Sequence, residues 1–158
     1  AALLAALEEL CRQAADEPLV PCHRDLMARN LVPDGAGGVV VLDFQDLRFG
    51  PAAYDVAALL NDSFFASPAL EREVLARCGF TGEREWAYRR AVVQRTLKAA
   101  GTYLRFAARG FRRHLPLVAP TLGRALPHLA LLPETSAVFR ADRAAWSRTA
   151  AIAFEAVC

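Results

Sequence analysis

The run His23-Arg24-Asp25-Leu26-Met27-Ala28-Arg29-Asn30 is followed, thirteen residues after its asparagine, by Asp43-Phe44. These residue types at this spacing suit phosphoryl transfer. Asp25, in an H-R-D-x-x-x-x-N pattern, can accept a proton from an attacking hydroxyl, while Asn30 and Asp43 can hold a divalent cation from two sides. A triphosphate is polyanionic, so its transfer depends on positioning and on neutralising charge. Carboxylate and amide oxygens are the hard ligands that Mg²⁺ accepts. The competing reading is structural, since Asp and Asn beside a turn often only cap backbone groups.

The elements that must position these residues are short. Leu19-Val20 and Leu31-Val32 flank the motif as apolar runs, and Val39 to Leu42 is a β-branched run ending on Asp43. Pro33-Asp34-Gly35-Ala36-Gly37-Gly38 between them reads as a turn. Strand, loop, strand, turn, strand, acid is an order that brings Asn30 and Asp43 together. The rest is helical. Leu3, Leu4, Leu7, Leu10 and Cys11 repeat at helical spacing and predict a helix over residues 2–15. Pro51 to Leu60 reads as the next helix, with proline at its front. Pro68 opens another that ends near Cys78-Gly79, where glycine suits a left-handed cap. Glu83 to Ala108 is a long helix stopped by Gly110. Pro116 and Pro120 punctuate a loop before a helix over residues 121–131, and Ala141 to Val157 reads as the last helix.

Composition bounds the function classes. A chain of 158 residues with 54% hydrophobic residues is expected to fold as a single domain, residues 1–158, with an ample core. Cys11, Cys22, Cys78 and Cys158 show no C-x-x-C or metal-ligand spacing, which points to reduced thiols and a cytoplasmic location. Cys22 adjoins His23 but reads as a small apolar filler of the strand, not a nucleophile. No run approaches the roughly 18 apolar residues of a membrane span. The opening AALLAALEEL lacks a basic leader region and reads as an amphipathic helix, not a signal peptide. Residues 1–83 carry 6 basic and 13 acidic side chains, and residues 84–158 carry 13 basic and 4 acidic ones. The arginines of the basic half alternate with apolar residues at helical spacing, which marks a solvated helix face and not a nucleic-acid surface.

The segments CHRDLMARNLV and VVVLDFQDLRFGPAAYDVAALL resemble the catalytic core of the aminoglycoside phosphotransferase superfamily, the small-molecule branch of the protein-kinase-like fold. Asp43-Phe44-Gln45-Asp46, then Gly50-Pro51 and Tyr54-Asp55, is similar more narrowly to the bacterial anomeric kinases of N-acetylmuramate and N-acetylglucosamine, which act in peptidoglycan recycling. The run Gln94-Arg95-Thr96-Leu97-Lys98-Ala99-Ala100-Gly101 resembles the same group. Gln45 departs from the third position of a D-F-G motif, so a glycine-dependent flip is not expected. The resemblance implies an α+β, mostly helical fold, the C-terminal lobe of a kinase-like phosphotransferase, with a small β insertion carrying the catalytic loop. It implies ATP and Mg²⁺ as cofactors and a small-molecule sugar substrate.

Such an enzyme also needs a nucleotide-covering lobe with a glycine-rich loop and a strand lysine on the α/β phosphates. The sole lysine, Lys98, lies in a helix pattern, and Gly35 to Gly38 is better explained as a turn. A β-rich N-terminal lobe of the same polypeptide is therefore expected before Ala1, and the 158-residue chain alone is expected to be inactive.

Roles follow residue by residue. Asp25 is the expected base, or the group that orients the acceptor hydroxyl. Asn30 and Asp43 are the expected Mg²⁺ ligands and so bind the nucleotide's metal. His23 is expected to anchor the loop by hydrogen bonding, and Arg24 either forms a structural ion pair or assists catalysis. Asp46 is either a second acid near the metal or sugar, or a turn cap. Asp55, in the first turn of a helix, is expected to tie down loop amides. Arg95 and Lys98, at i and i+3 on the long helix, share a face and are candidates to meet the substrate, or else form a solvated surface. The basic second half favours a neutral or anionic acceptor over a polycationic aminoglycoside. Other small-alcohol kinases of the superfamily and a pseudokinase-like binding module are the alternatives. His114 and His128 have no partner at metal spacing and receive no role.

Overall fold

The computed structural model describes residues 2–61 and 66–141. The chain divides into two compact units, Ala14–Ala91, and Ala1–Gln13 with Val92–Cys158. Its described residues are mostly helical, with two separate two-stranded sheets, both in the first of these units.

In that unit β1 (Leu19–Cys22) and β2 (Leu31–Pro33) flank a loop that ends in a single 3₁₀ turn, Ala28–Asn30. β2 pairs antiparallel with β3 (Val39–Val41), Leu31 opposite Val41 and Pro33 opposite Val39. The expected turn joins them. Gly35 and Gly37 take positive φ, and one Asp34 carboxylate oxygen accepts the N–H groups of Ala36 and Gly38, each at 2.8 Å. Those two bonds favour the charged form and lower the Asp34 pKa. The folded value lies below the unfolded one, so this contribution is present above the ordinary aspartate range and is lost as pH falls through the folded value.

A fourth strand was not anticipated. β4 (Arg48–Pro51) pairs antiparallel with β1, from Leu19 opposite Pro51 to Cys22 opposite Arg48. Pro51 therefore ends a strand instead of opening a helix, a place where its missing N–H is tolerated. α2 (Ala53–Asn61) follows, with Ala53, Ala57, Ala58 and Leu60 buried. α3 (Pro68–Arg77) has proline at its start and Ser67 as N-cap, the hydroxyl accepting the Leu70 N–H at 3.3 Å. Gly79, at φ 73°, turns the chain out of that helix as expected. A 3₁₀ turn at Gly82–Arg84 leads into α4 (Glu85–Ala108). A buried polar chain ties α2, α3 and α4 together. The Asn61 amide donates to the Tyr88 hydroxyl at 3.0 Å, and that hydroxyl donates to Glu71 Oε1 at 2.6 Å.

The other unit contains residues 92–108 of α4 and most of α1 (Ala2–Ala15), the helix read over residues 2–15. Ala100, Leu115 and Val118 form a core with Tyr103, Ala107 and Leu122 packed against it. The proline-rich stretch is not an open loop. Arg112–Leu117 form a 3₁₀ segment, and Pro120 sits inside the first turn of α5 (Val118–Leu131), where its N–H would have no helical partner in any case. α6 (Pro133–Ala141) is a further element absent from the sequence reading. Leu132 precedes a proline and is held extended, which ends α5 and starts α6. The helix read over Ala141 to Val157 lies almost wholly outside the described residues. No single described helix is long and apolar enough to cross a membrane.

Tyr88→Phe should cost about 1–3 kcal/mol of stability, because the buried Asn61 amide and the half-buried Glu71 carboxylate lose the hydroxyl between them. Urea unfolding measures it, and an unchanged midpoint would show that this chain of bonds contributes nothing.

Candidate active site

The site is built on one carboxylate. Asp55, in the first turn of α2, accepts the His23 N–H at 2.6 Å on Oδ2 and the Arg24 N–H at 2.8 Å on Oδ1. Successive N–H groups converge on one anion when the chain takes a left-handed residue, and Arg24 has φ 69°. β1 and β4 set this distance, because β1 delivers His23 and β4 delivers the start of α2. At their junction the buried Cys22 thiol donates to the Pro51 carbonyl at 3.4 Å. A Cβ on Gly50 would lie 3.3 Å from that sulfur, so glycine leaves room for the thiol. Burial, and then the Asp55 charge, raise the Cys22 pKa against smaller lowering effects from the Gly50 backbone and Arg24. That direction disfavours the thiolate and suits a small filler of the strand.

A second set of bonds fixes the acid at the end of the hairpin. The His23 ring, itself buried, donates from Nε2 to the Leu42 carbonyl at 2.8 Å, and its Nδ1 has no hydrogen-bond partner among the described residues. The Leu42 N–H donates to the Asn30 carbonyl at 2.8 Å. Both main-chain groups of Leu42 are thus held, and the next residue is Asp43, at φ 71°. The buried Asn30 side chain donates from Nδ2 to the Asp25 carbonyl at 2.8 Å. Its Oδ1 makes no hydrogen bond among the described residues. Arg24 and Asp43 are the two described non-glycine residues with positive φ. Strain of this kind costs about 1–3 kcal/mol per residue and is kept where the surroundings over-determine it.

Asp25, Asn30 and Asp43 are therefore gathered by a single network through His23, Leu42 and Asp55. The Asp25 carboxylate is partly exposed and lies 3.5 Å from the Arg29 guanidinium, a solvent-screened pair. Asp43 is exposed. No three His, Cys, Asp or Glu side chains converge as a metal cluster among the described residues. The donor set on offer is one amide oxygen and one carboxylate, which suits a Mg²⁺ ion that keeps waters and phosphate oxygens for its other positions.

The remaining candidates fall elsewhere. Asp46 lies in an exposed turn closed by the Leu47 N–H and the Phe44 carbonyl at 3.1 Å, with no contact drawing it into the network. Arg95, half-buried, and Lys98, exposed, lie on the part of α4 that belongs to the other compact unit. Sequence reasoning missed Leu42, whose role is wholly main-chain, and Arg29, whose i+4 spacing from Asp25 was the available signal.

Residues 1–92 match the phosphotransferase enzyme family. The chain is similar to the N-acetylmuramate/N-acetylglucosamine kinase of Pseudomonas putida, 32% identical over 84% of this chain and 44% of that protein. It is also similar to proteins of the same name from Pseudomonas aeruginosa, 46% identical over 37% of this chain and 17% of that protein, and from Neisseria meningitidis serogroup B, 48% identical over 30% and 14%. The chain thus spans less than half the length of these curated relatives.

Asp55→Ala should lower stability by about 2–3 kcal/mol, since two loop amides lose a charged acceptor at once. Asp55→Asn, which keeps one acceptor oxygen, should cost roughly half as much. Equal midpoints for all three proteins in chemical denaturation would show that the carboxylate does not hold the loop.

Proposed function

Because this chain belongs to the phosphotransferase enzyme family, we propose that it supplies the catalytic base and the metal ligands of an ATP-dependent sugar kinase, as the C-terminal lobe of a kinase-like fold. The observation that carries this reading is the network joining His23, Asn30, Leu42 and Asp55, which bonds the Asp25 carbonyl to Asn30 and holds Leu42, the residue before Asp43, against the same loop. In the proposed step the acceptor hydroxyl oxygen attacks the γ-phosphorus, Asp25 takes the hydroxyl proton, and ADP leaves. Asn30 Oδ1 and the Asp43 carboxylate would hold Mg²⁺. When bound, that ion neutralises charge on the β and γ phosphates. His23 and Asp55 act only by holding the backbone. Arg24 keeps its left-handed place through its own N–H.

The acceptor class follows from charge. The basic balance of residues 84–158, with Arg95 and Lys98 as candidates for contact, favours a neutral or anionic sugar over a polycation. The N-acetylmuramate/N-acetylglucosamine kinases among the relatives support that choice, and the resemblance of Asp43-Phe44-Gln45-Asp46 to anomeric kinases extends the proposal to the anomeric hydroxyl and a role in cell-wall recycling. The nucleotide's covering lobe would come from another segment of the same polypeptide. In its support, Val39, Val40, Val41, Leu42, Phe44 and Phe49 on and beside the strands are all more than 40% exposed. Apolar surface of that extent around a reactive loop suits a covered interface.

A full-length polypeptide given ATP and Mg²⁺ should phosphorylate N-acetylmuramate or N-acetylglucosamine, and the 158-residue chain alone should not. Asp25→Asn should cut kcat by roughly 10²- to 10⁴-fold with ATP binding little changed. Turnover of kanamycin-like aminoglycosides without any amino sugar would overturn the substrate class, and near-normal turnover by the variant would remove Asp25 from the mechanism.

A further inference from the structure

The C-terminal end of α4 forms a second feature that the reaction does not use. Gly110, at φ 91°, reverses the chain there. Its N–H donates to the Ala107 carbonyl at 2.9 Å, and the Phe111 N–H donates to the Phe106 carbonyl at 2.9 Å. This paired cap brings the residue after the glycine back over the last turn of the helix. The result is an open cleft of about 350 Å³ lined by Phe106, Arg109, Phe111, Arg113 and His114. That volume is at the lower end of small-molecule sites.

The cap motif alone accounts for Phe106 and Phe111 lining one cleft, but not for the rest of the lining. Phe111 remains 66% exposed, so the turn leaves its ring largely in water. The His114 ring stacks on Tyr103, with centroids 5.3 Å apart and planes at 14°, and meets Phe106 at 5.9 Å. Its Nε2 accepts a hydrogen bond from Arg113 Nε at 2.9 Å, which requires a lone pair on that nitrogen and steadies the guanidinium beside the ring. No carboxylate among the described residues lines the cleft. Among the described residues neither Arg109 nor Arg113 forms an ion pair with an acid. Aromatic faces and two arginines without acidic partners are complementary to a flat ring that carries negative charge.

We propose that this cleft binds a small planar anion, an aromatic ring bearing a carboxylate, sulfonate or phosphate group. The ring sits against Phe106 and Phe111, and Arg109 and Arg113 meet the charge. The proposal does not depend on the sugar-kinase reading, because no residue of the cleft belongs to the network around Asp25. Membership of the family does not supply the site either, since the family match ends at residue 92.

Calorimetric titration of the 158-residue chain with naphthalene-2-sulfonate, its neutral counterpart naphthalene-2-methanol, and methanesulfonate separates the ring from the charge. The sulfonated ring should bind at least about tenfold more tightly than either other probe, because each lacks one half of the recognition. The double variant Arg109→Gln/Arg113→Gln should reduce it to the neutral probe's level, and Phe111→Ala should weaken it by about tenfold or more. Phe111→Leu, which keeps an apolar group over the cap, repeats the test should the alanine variant unfold. Equal affinity for the neutral and sulfonated rings, binding that survives in the variants, or no saturable binding at millimolar probe would each overturn the proposal.

Discussion

Two neighbouring main-chain amides, those of His23 and Arg24, share one carboxylate, and the candidate site depends on that sharing. A left-handed Arg24 costs about 1–2 kcal/mol relative to an ordinary backbone. Each hydrogen bond to a charged acceptor contributes roughly 1.5–3 kcal/mol. Two such bonds to Asp55 more than offset the strain, so the loop takes a conformation that its own residues disfavour. The direction of Asp25 follows, because it is the next residue. Asp55 is positioned in turn by β4, whose pairing with β1 fixes where α2 begins.

The second strained residue is held from the other side. Leu42 spends both its main-chain groups on the loop, the N–H on Asn30 and the carbonyl on the His23 ring, so Asp43 has no slack in its approach. Labour is divided by depth. His23 and Asn30, which make the positioning bonds, are buried, whereas the Asp25 and Asp43 carboxylates are partly or fully exposed. A buried polar residue makes its bonds at low dielectric and keeps them, and an exposed carboxylate remains reachable.

Much of this was legible in the residues. The H-R-D-x-x-x-x-N spacing, the glycine turn before the valines and the acid after them read as a hairpin that brings Asn30 towards Asp43, and the structure has that hairpin, with Leu42 bonded to the Asn30 carbonyl. α1 and α3 announce themselves by apolar spacing, by Ser67-Pro68 and by Gly79. What escaped reading was carried by backbone or by distant partners. Arg48-Phe49-Gly50-Pro51 looks like a turn by composition and becomes a strand only because β1 lies alongside it. Pro116 and Pro120 look like breakers, yet proline in a 3₁₀ segment or a first helical turn breaks nothing. Leu42 matters through atoms that every residue has, so no side-chain pattern could mark it. The cleft at Phe111 depends on a glycine cap folding one segment over another, and spacing alone does not show where the exposed rings meet.

Family membership makes the network part of a phosphotransferase, and transfer of a phosphoryl group to a sugar is the activity proposed for it. The approach of the hairpin acid depends on a carboxylate in α2. Amide hydrogen exchange of Asp55→Asn against the unaltered chain tests it most directly. Faster exchange is predicted at His23 and Arg24 and, through the His23 ring, at Leu42, while the Cys78 amide bonded to Val74 in the same unit keeps its protection. Unchanged protection at His23 and Arg24, or at Leu42 once those two have opened, would contradict it.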